Sequence, residues 1–258
     1  MLNNLTNILQ LPESCIVNTK LTKAFFKRNF DLTLSERKLL DDFSIVVTLD
    51  LLASIKTTNS NISSYSDDLM QYVEVLVIAV QTSNDEFEKS KFKIAELIQK
   101  YIPYPILLCV YSDNQFILNT ADKRINRNEA NKRTVEKSYY SENIELNLTN
   151  EKQIAFLNSL SFTGLEKQNL KTLYDNYTSR IIALQAATEI TGDFHIRKNE
   201  QSKQDVLLLE EIATLQSEIV SLQIQIKKET QLNIQIDINN LIQHKRKQIT
   251  ELQHKITN

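Results

Sequence analysis

YVEVLVIAVQTSNDEFEKSKFKIAELIQKYIPYPILLCVYSDNQFILNT, residues 72–120, reads as strand, helix, strand, strand. The run from Tyr72 to Gln81 is almost continuously apolar, the pattern of a strand covered on both faces. Glu74 interrupts it. A lone buried carboxylate is costly, so Glu74 is expected at a sheet edge or beside a partner. Ser83 with Glu86 spells a capping box, and Asp85, Glu86 and Glu88 crowd a first turn where the helix dipole favours acids. Phe87, Ile94, Leu97, Ile98, Tyr101 and Ile102 supply one helical face. Pro103 ends that helix, because the residue before a proline disfavours the α region. ILLCVY (106–111) follows, and Ser112-Asp113-Asn114 turns the chain into QFILNT (115–120). A helix between strands 72–81 and 106–111 suits a crossover and a partly parallel sheet. The reading places Ile78, Val80, Ile94, Ile98, Leu107 and Cys109 in one core.

Before this stretch, Met1 to Leu11 reads as a short amphipathic helix stopped at Pro12. A short strand is expected at Cys15–Val17. Lys20, Lys23, Phe25, Phe26, Lys27, Arg28 and Phe30 then interleave cations with aromatics, which suits single-stranded nucleic acid or, more plainly, Phe inward and Lys outward. A helix starts near Thr33 or Ser35. SIVVTLDLLASI (44–55) fits a strand by its β-branched density and a buried helix by its length. TTNSNISSYSDD (57–68) reads as a connecting loop.

After it, residues 121–138, ADKRINRNEANKRTVEKS, are the one locally basic stretch and read as a loop able to meet phosphates. The candidate nucleic-acid contacts are Lys123, Arg124, Arg127, Lys132 and Arg133. Tyr139 and Tyr140 are expected on a last or edge strand, residues 151–190 as helix, and residues 191–204 as a hinge. The fold class is α+β: a mixed β-sheet domain with flanking helices (1–145), a helical segment and hinge (146–204), and a C-terminal antiparallel coiled-coil hairpin (205–258).

Composition excludes several functions. With 30 basic and 32 acidic side chains the net charge is −2, so no global field draws the chain to nucleic acid or an anionic membrane. Only two glycines are present, Gly164 and Gly192, too few for a phosphate loop or a dinucleotide fingerprint. Cys15 and Cys109 read as buried thiols of a reducing compartment. The N-terminus lacks a basic and apolar leader, and VEVLVIAV is too short to span a bilayer, so a soluble cytoplasmic protein is expected. His195, His244 and His254 have no metal-ligand spacing, and no serine sits in a nucleophile elbow. A metal-dependent nuclease around Glu74 lacks a lysine two residues on. No catalytic residue, metal or cofactor is therefore assigned.

The tail repeats at heptad spacing. Leu208, Ile212, Leu215, Ile219, Leu222 and Ile226 alternate steps of four and three, and the pattern resumes as Ile238, Ile242, Lys245, Ile249, Leu252 and Ile256. The twelve-residue gap turns the second stripe about 120° from the first, which predicts a turn near Glu229 and two facing arms. Leu208 then meets Leu252, Ile212 meets Ile249, and Leu215 meets Lys245. Leu209, Ile224, Ile234 and Leu241 face elsewhere and are the candidates for docking to a partner or the body.

VEVLVIAV (73–80), IQKYIPYPILL (98–108), DKR (122–124), YYSEN (139–143) and KETQLNIQIDIN (228–239) together resemble the bacterial domain of unknown function 4391. The sequence departs at Gln99, where that pattern has an acid, and in lacking tryptophan after the tyrosine pair. The resemblance implies a setting beside restriction-type helicases and DNA methyltransferases, and a role in defence against phage DNA. It implies no catalytic residues. The leading expectation is a non-enzymatic accessory subunit with a helicase or methyltransferase partner, docked through the tail. The alternative is direct nucleic-acid binding through residues 121–138 and 20–28, and the least favoured reading is a metal-dependent nuclease around Glu74.

Overall fold

The computed structural model of the protein describes residues 2–126, 133–147, 149–196 and 199–257. The first half runs α1 (Leu2–Leu9), β1 (Ile16–Lys20), α2 (Lys23–Asn29), α3 (Leu34–Asp41), β2 (Thr48–Lys56), α4 (Thr57–Ser60), β3 (Tyr65–Ser66) and β4 (Gln71–Tyr72). The central stretch supplies β5 (Glu74–Gln81), α5 (Asn84–Tyr101), β6 (Ile106–Tyr111) and β7 (Gln115–Ile125). There follow β8 (Arg133–Tyr140), β9 (Ile144–Glu145), α6 (Glu151–Ser159), α7 (Leu170–Ala186), α8 (Asn199–Lys228) and α9 (Leu232–Thr257).

One mixed sheet has the order β1-β2-β5-β6-β7-β8, with β9 also paired to β7. Only β5 and β6 are parallel, and α5 connects them, as a parallel pair requires. Of SIVVTLDLLASI, residues 48–55 fall in strand β2, which pairs antiparallel with β5, while Ser44 to Val47 form the turn that leads into it, so the β-branched run Ile45-Val46-Val47 lies outside the strand.

Both faces of the sheet are covered, which corrects the expectation of a single core. Side chains alternate along a strand. Leu76, Ile78, Val80, Ile106, Leu108 and Val110 pack with Ile94 and Ile98 of α5. Val75, Val77, Ala79, Leu107 and Cys109 pack on the other side with Tyr174, Tyr177 and Ile181 of α7, and with Leu5 and Leu9 of α1. Leu107 and Cys109 therefore do not share a core with Ile78, Val80, Ile94 and Ile98.

Local chemistry explains the helix starts. Thr33 caps α3 with a full capping box, its hydroxyl taking the Glu36 amide and the Glu36 carboxylate taking the Thr33 amide. Ser83 precedes α5 but makes no side-chain cap bond; its backbone carbonyl accepts from Phe87 instead. The box expected there does not form.

α8 and α9 pack against each other across a short turn at Glu229, whose carboxylate accepts from the amides of Thr230 and Gln231. Contacts run in reverse order along the pair. Leu209 and Ile212 cluster with Leu252 and Ile256, with Leu208, Leu215 and Ile249 at the margin. Lys245 reaches Glu218 at 2.6 Å. Leu209 is not available to a partner, because it is buried in this cluster with Ala186 at the end of α7. Among the described residues no helix is long and apolar enough to cross a membrane.

Candidate functional site

The basic stretch is not a loop over its described length. β7 and β8 form an antiparallel ladder with Lys123 opposite Val135, Arg124 opposite Thr134 and Ile125 opposite Arg133. A bulge falls between Asp122 and Lys123. Arg127 and Lys132 lie outside the described residues.

The three described candidates have separate fates. Lys123 is 6% exposed, and its Nζ donates to the carbonyls of Ile102 and Tyr104, each at 2.8 Å. It ties the end of α5 and the Pro103-Tyr104-Pro105 turn to β7, so it contributes nothing to a surface patch. Burial drives its amine well below the ordinary lysine range, with Arg133 adding to the effect. Arg124 is half-exposed and pairs with Glu136 on the neighbouring strand at 3.1 Å. Arg133 donates to the Gln71 side-chain carbonyl at 2.6 Å and lines a cleft.

That cleft brings together segments far apart in the sequence. Asn29, Phe30, Asp31 and Thr33 come from the α2–α3 link, Lys100, Tyr101 and Pro103 from the end of α5, and Asn126 and Arg133 from β7–β8. Its volume is about 480 Å³. The Phe30 and Tyr101 rings stack at 5.3 Å with a 37° tilt. Thus one end of the aromatic and basic segment 20–30 does meet the basic hairpin, through Phe30. Phe26 goes fully into the core, while Phe25 stays partly exposed.

Glu36 organises the cleft's second wall. Its carboxylate accepts from Lys100 Nζ at 2.7 Å and from the Tyr101 hydroxyl at 2.7 Å. Burial alone would raise this carboxyl, but the bonds from Lys100, the Thr33 amide and Tyr101 outweigh it and hold it at about 2. The native state therefore binds fewer protons than the unfolded chain between about pH 4.5 and 2, and stability falls as pH drops through that window. Glu36→Gln is expected to flatten this part of the curve of stability against pH. Acid titrations of wild type and variant followed by circular dichroism that superimpose between pH 4.5 and 2 would show that Glu36 is not held down. Sequence pattern placed Glu36 only near the start of a helix, and nothing in spacing linked it to residues 64 and 65 positions away.

Elsewhere, two polar residues that the sequence singled out, Glu74 and Gln99, find partners in the fold, although Gln99 Oε1 itself is left without a hydrogen bond among the described residues. Glu74 accepts from the Ser54 hydroxyl at 2.6 Å and pairs with Lys56 at 3.3 Å, so it is the partnered carboxylate expected of such a strand. Gln99 is buried, donating to Asn119 Oδ1 at 2.8 Å and the Ile106 carbonyl at 3.2 Å. An ionised acid there would face both acceptors with no proton to give. Burial pushes the Cys109 and Cys15 thiols up, which disfavours the thiolate in both. Among the described residues no group of three or more His, Cys, Asp or Glu side chains is placed to hold a metal ion.

Of the tail candidates, Ile224 and Leu241 are exposed and Ile234 is half-buried. Val220, Leu232 and Ile236 join them as exposed apolar side chains that the heptad reading did not single out.

No curated protein and no solved structure matches the chain. The profile of a family described as a domain of unknown function does match, over residues 9–249. That span takes in the sheet with both its covered faces, the cleft and nearly all of the two-helix arm, so the chain belongs to the DUF4391 family.

Proposed function

We propose that this protein is a non-enzymatic accessory subunit of a DNA-targeting defence system, cytoplasmic, and docked to a helicase or methyltransferase partner through its two-helix arm. One observation carries the docking part. Leu209 is buried against Ala186, whereas Val220 and Ile224 remain 54% and 50% exposed. They lie eleven and fifteen residues beyond Leu209, about three and four turns along the same helix face. The side of α8 that seats the arm on the body thus carries two more apolar side chains, both uncovered, beyond Ala213 and Gln216. On α9, Leu232, Ile236 and Leu241 are also exposed. Isolated exposed apolar residues are ordinary, but these five on one two-helix arm, two of them on the side that already packs on the body, suit a helical partner.

In this reading the arm is an antiparallel coiled coil whose seam runs from Leu208 to Ile226 against Ile238 to Ile256. Each arm is marginal alone, and mutual burial stabilises the pair. The ion pair of Glu218 with Lys245 supports that register.

The test is purification of the tagged full chain from its native cells, with partners identified by mass spectrometry. Wild type is expected to retain a helicase or methyltransferase. A Val220→Glu/Ile224→Glu variant with an unchanged melting temperature is expected to lose it. Retention of the same partner by the variant, or its absence from the wild-type sample, would overturn the docking assignment.

A further inference from the structure

The cleft between the α2–α3 link, the end of α5 and β7–β8 plays no part in arm docking. We propose that it binds a nucleoside phosphate, with the base against the aromatic wall and the phosphate on Arg133 and Lys100.

Size admits such a ligand. About 480 Å³ lies inside the ~300–1,000 Å³ span of small-molecule sites. Charge then narrows the class. Lys100 and Arg133 face the cleft together with Asp31, and Glu36 sits at the foot of Lys100. Two cations are set against two acids, so a simple anion gains little. A nucleotide carries the complementary pair of ends. Its phosphate accepts from the guanidinium and from the ammonium. Its base edge donates from amino and ring N–H groups, which Asp31 can accept. Phe30, Tyr101 and Pro103 supply the apolar and π-rich surface against which a flat base stacks.

The second wall is also set before a ligand arrives. Glu36 holds Lys100 and the Tyr101 hydroxyl, whose single proton it shares with the Asp31 carbonyl at 3.1 Å. The ring, the ammonium and the α2–α3 link are thereby fixed relative to one another, which lowers the ordering cost of binding.

A free nucleotide and a nucleotide within a single strand present the same chemistry. The experiment therefore uses both, together with inorganic phosphate. Isothermal titration is run with AMP, with GMP and with phosphate, and fluorescence anisotropy with a labelled single-stranded oligonucleotide of mixed sequence. Wild type is expected to bind a mononucleotide or the strand, with phosphate at least about tenfold weaker. Strand binding through this cleft involves one or two phosphates, so log K is expected to fall with log salt at a slope of only about −0.7 to −1.4.

Arg133→Gln and Phe30→Leu are each expected to weaken that binding by about tenfold or more. Arg124→Gln, on the same hairpin but paired with Glu136, is expected to leave it unchanged. Thermal melting of each variant separates loss of the site from loss of the fold, and Arg133, on the surface, is the variant least able to unfold the chain. Binding of mononucleotides that competes with the strand assigns the free ligand, and binding of the strand alone assigns a nucleotide within it. No binding of any nucleotide or strand up to about 1 mM would overturn the proposal. So would phosphate binding as tightly as nucleotides, or folded Arg133→Gln binding as wild type does. The described lining of the cleft includes no residue of α8 or α9, so arm variants that lose the partner are expected to keep this binding.

Discussion

Leu107→Ala is expected to lower the unfolding free energy by about 2–5 kcal/mol, the range for a large side chain removed from a packed core. Leu107 is fully buried on β6 and lies opposite Val77 in the parallel pair at the middle of the sheet. Its side chain belongs to the cluster that includes Tyr174, Tyr177 and Ile181 of α7. α7 cannot collapse freely into the vacated space. The Tyr174 hydroxyl is pinned to β6 and β7, accepting from the Ala121 amide at 2.8 Å and donating toward the carbonyls of Ile106 and Ala121. The cavity term should therefore be felt almost in full. Urea denaturation measures it as a lower midpoint with an unchanged slope. A shift equivalent to less than about 0.5 kcal/mol would mean that β6 is peripheral, and the arrangement of the sheet described above would be wrong.

Leu107 also shows where pattern reading stops. Continuous apolarity from Tyr72 to Gln81 and from Ile106 to Tyr111 signals burial on both faces, and both strands are so buried. Continuity, however, erases the alternation that would say which side chain faces which helix. Only the observed register sends Leu107 and Cys109 toward α7 and Leu108 and Val110 toward α5. The two arms of the tail were legible for the opposite reason. Their stripes have a period and a phase, and the phase jump between Ile226 and Ile238 marks the turn at Glu229.

The cleft was legible only in fragments. Phe30 and Arg133 each belong to a segment whose composition is informative, but the pairing of those segments depends on a sheet order that no local signal encodes. Lys100 and Tyr101 read as the end of one helix, and Glu36 as the start of another, because each is also that. Long-range polar pairs leave no periodic trace. The same holds for Lys123, which in sequence is one cation among six in a basic run and in the fold is sealed beneath the chain turn at Pro103.

Replacing Lys123 by Met should therefore cost stability rather than affinity for any anion. The change keeps much of the stem and removes the donors to the Ile102 and Tyr104 carbonyls. An orphaned carbonyl costs ~1–3 kcal/mol, toward the low end for Tyr104, whose residue is partly exposed. A loss of about 2–4 kcal/mol follows. The pH dependence identifies the charge state. Burial pushes the amine far below its ordinary value of 10.5, so between the folded and unfolded values the unfolded chain holds the extra proton. Stability from this group therefore rises with pH through that window and levels off above 10.5. A neutral amine has two N–H donors, and two carbonyls are in place to take them. Urea denaturation of wild type and Lys123→Met across the alkaline range should give a stability difference that grows with pH, cancelling the tyrosines and cysteines common to both. A difference that is large but flat would mean that Lys123 stays an ammonium. A difference under about 0.5 kcal/mol at every pH would mean that the end of α5 is not held by this side chain at all.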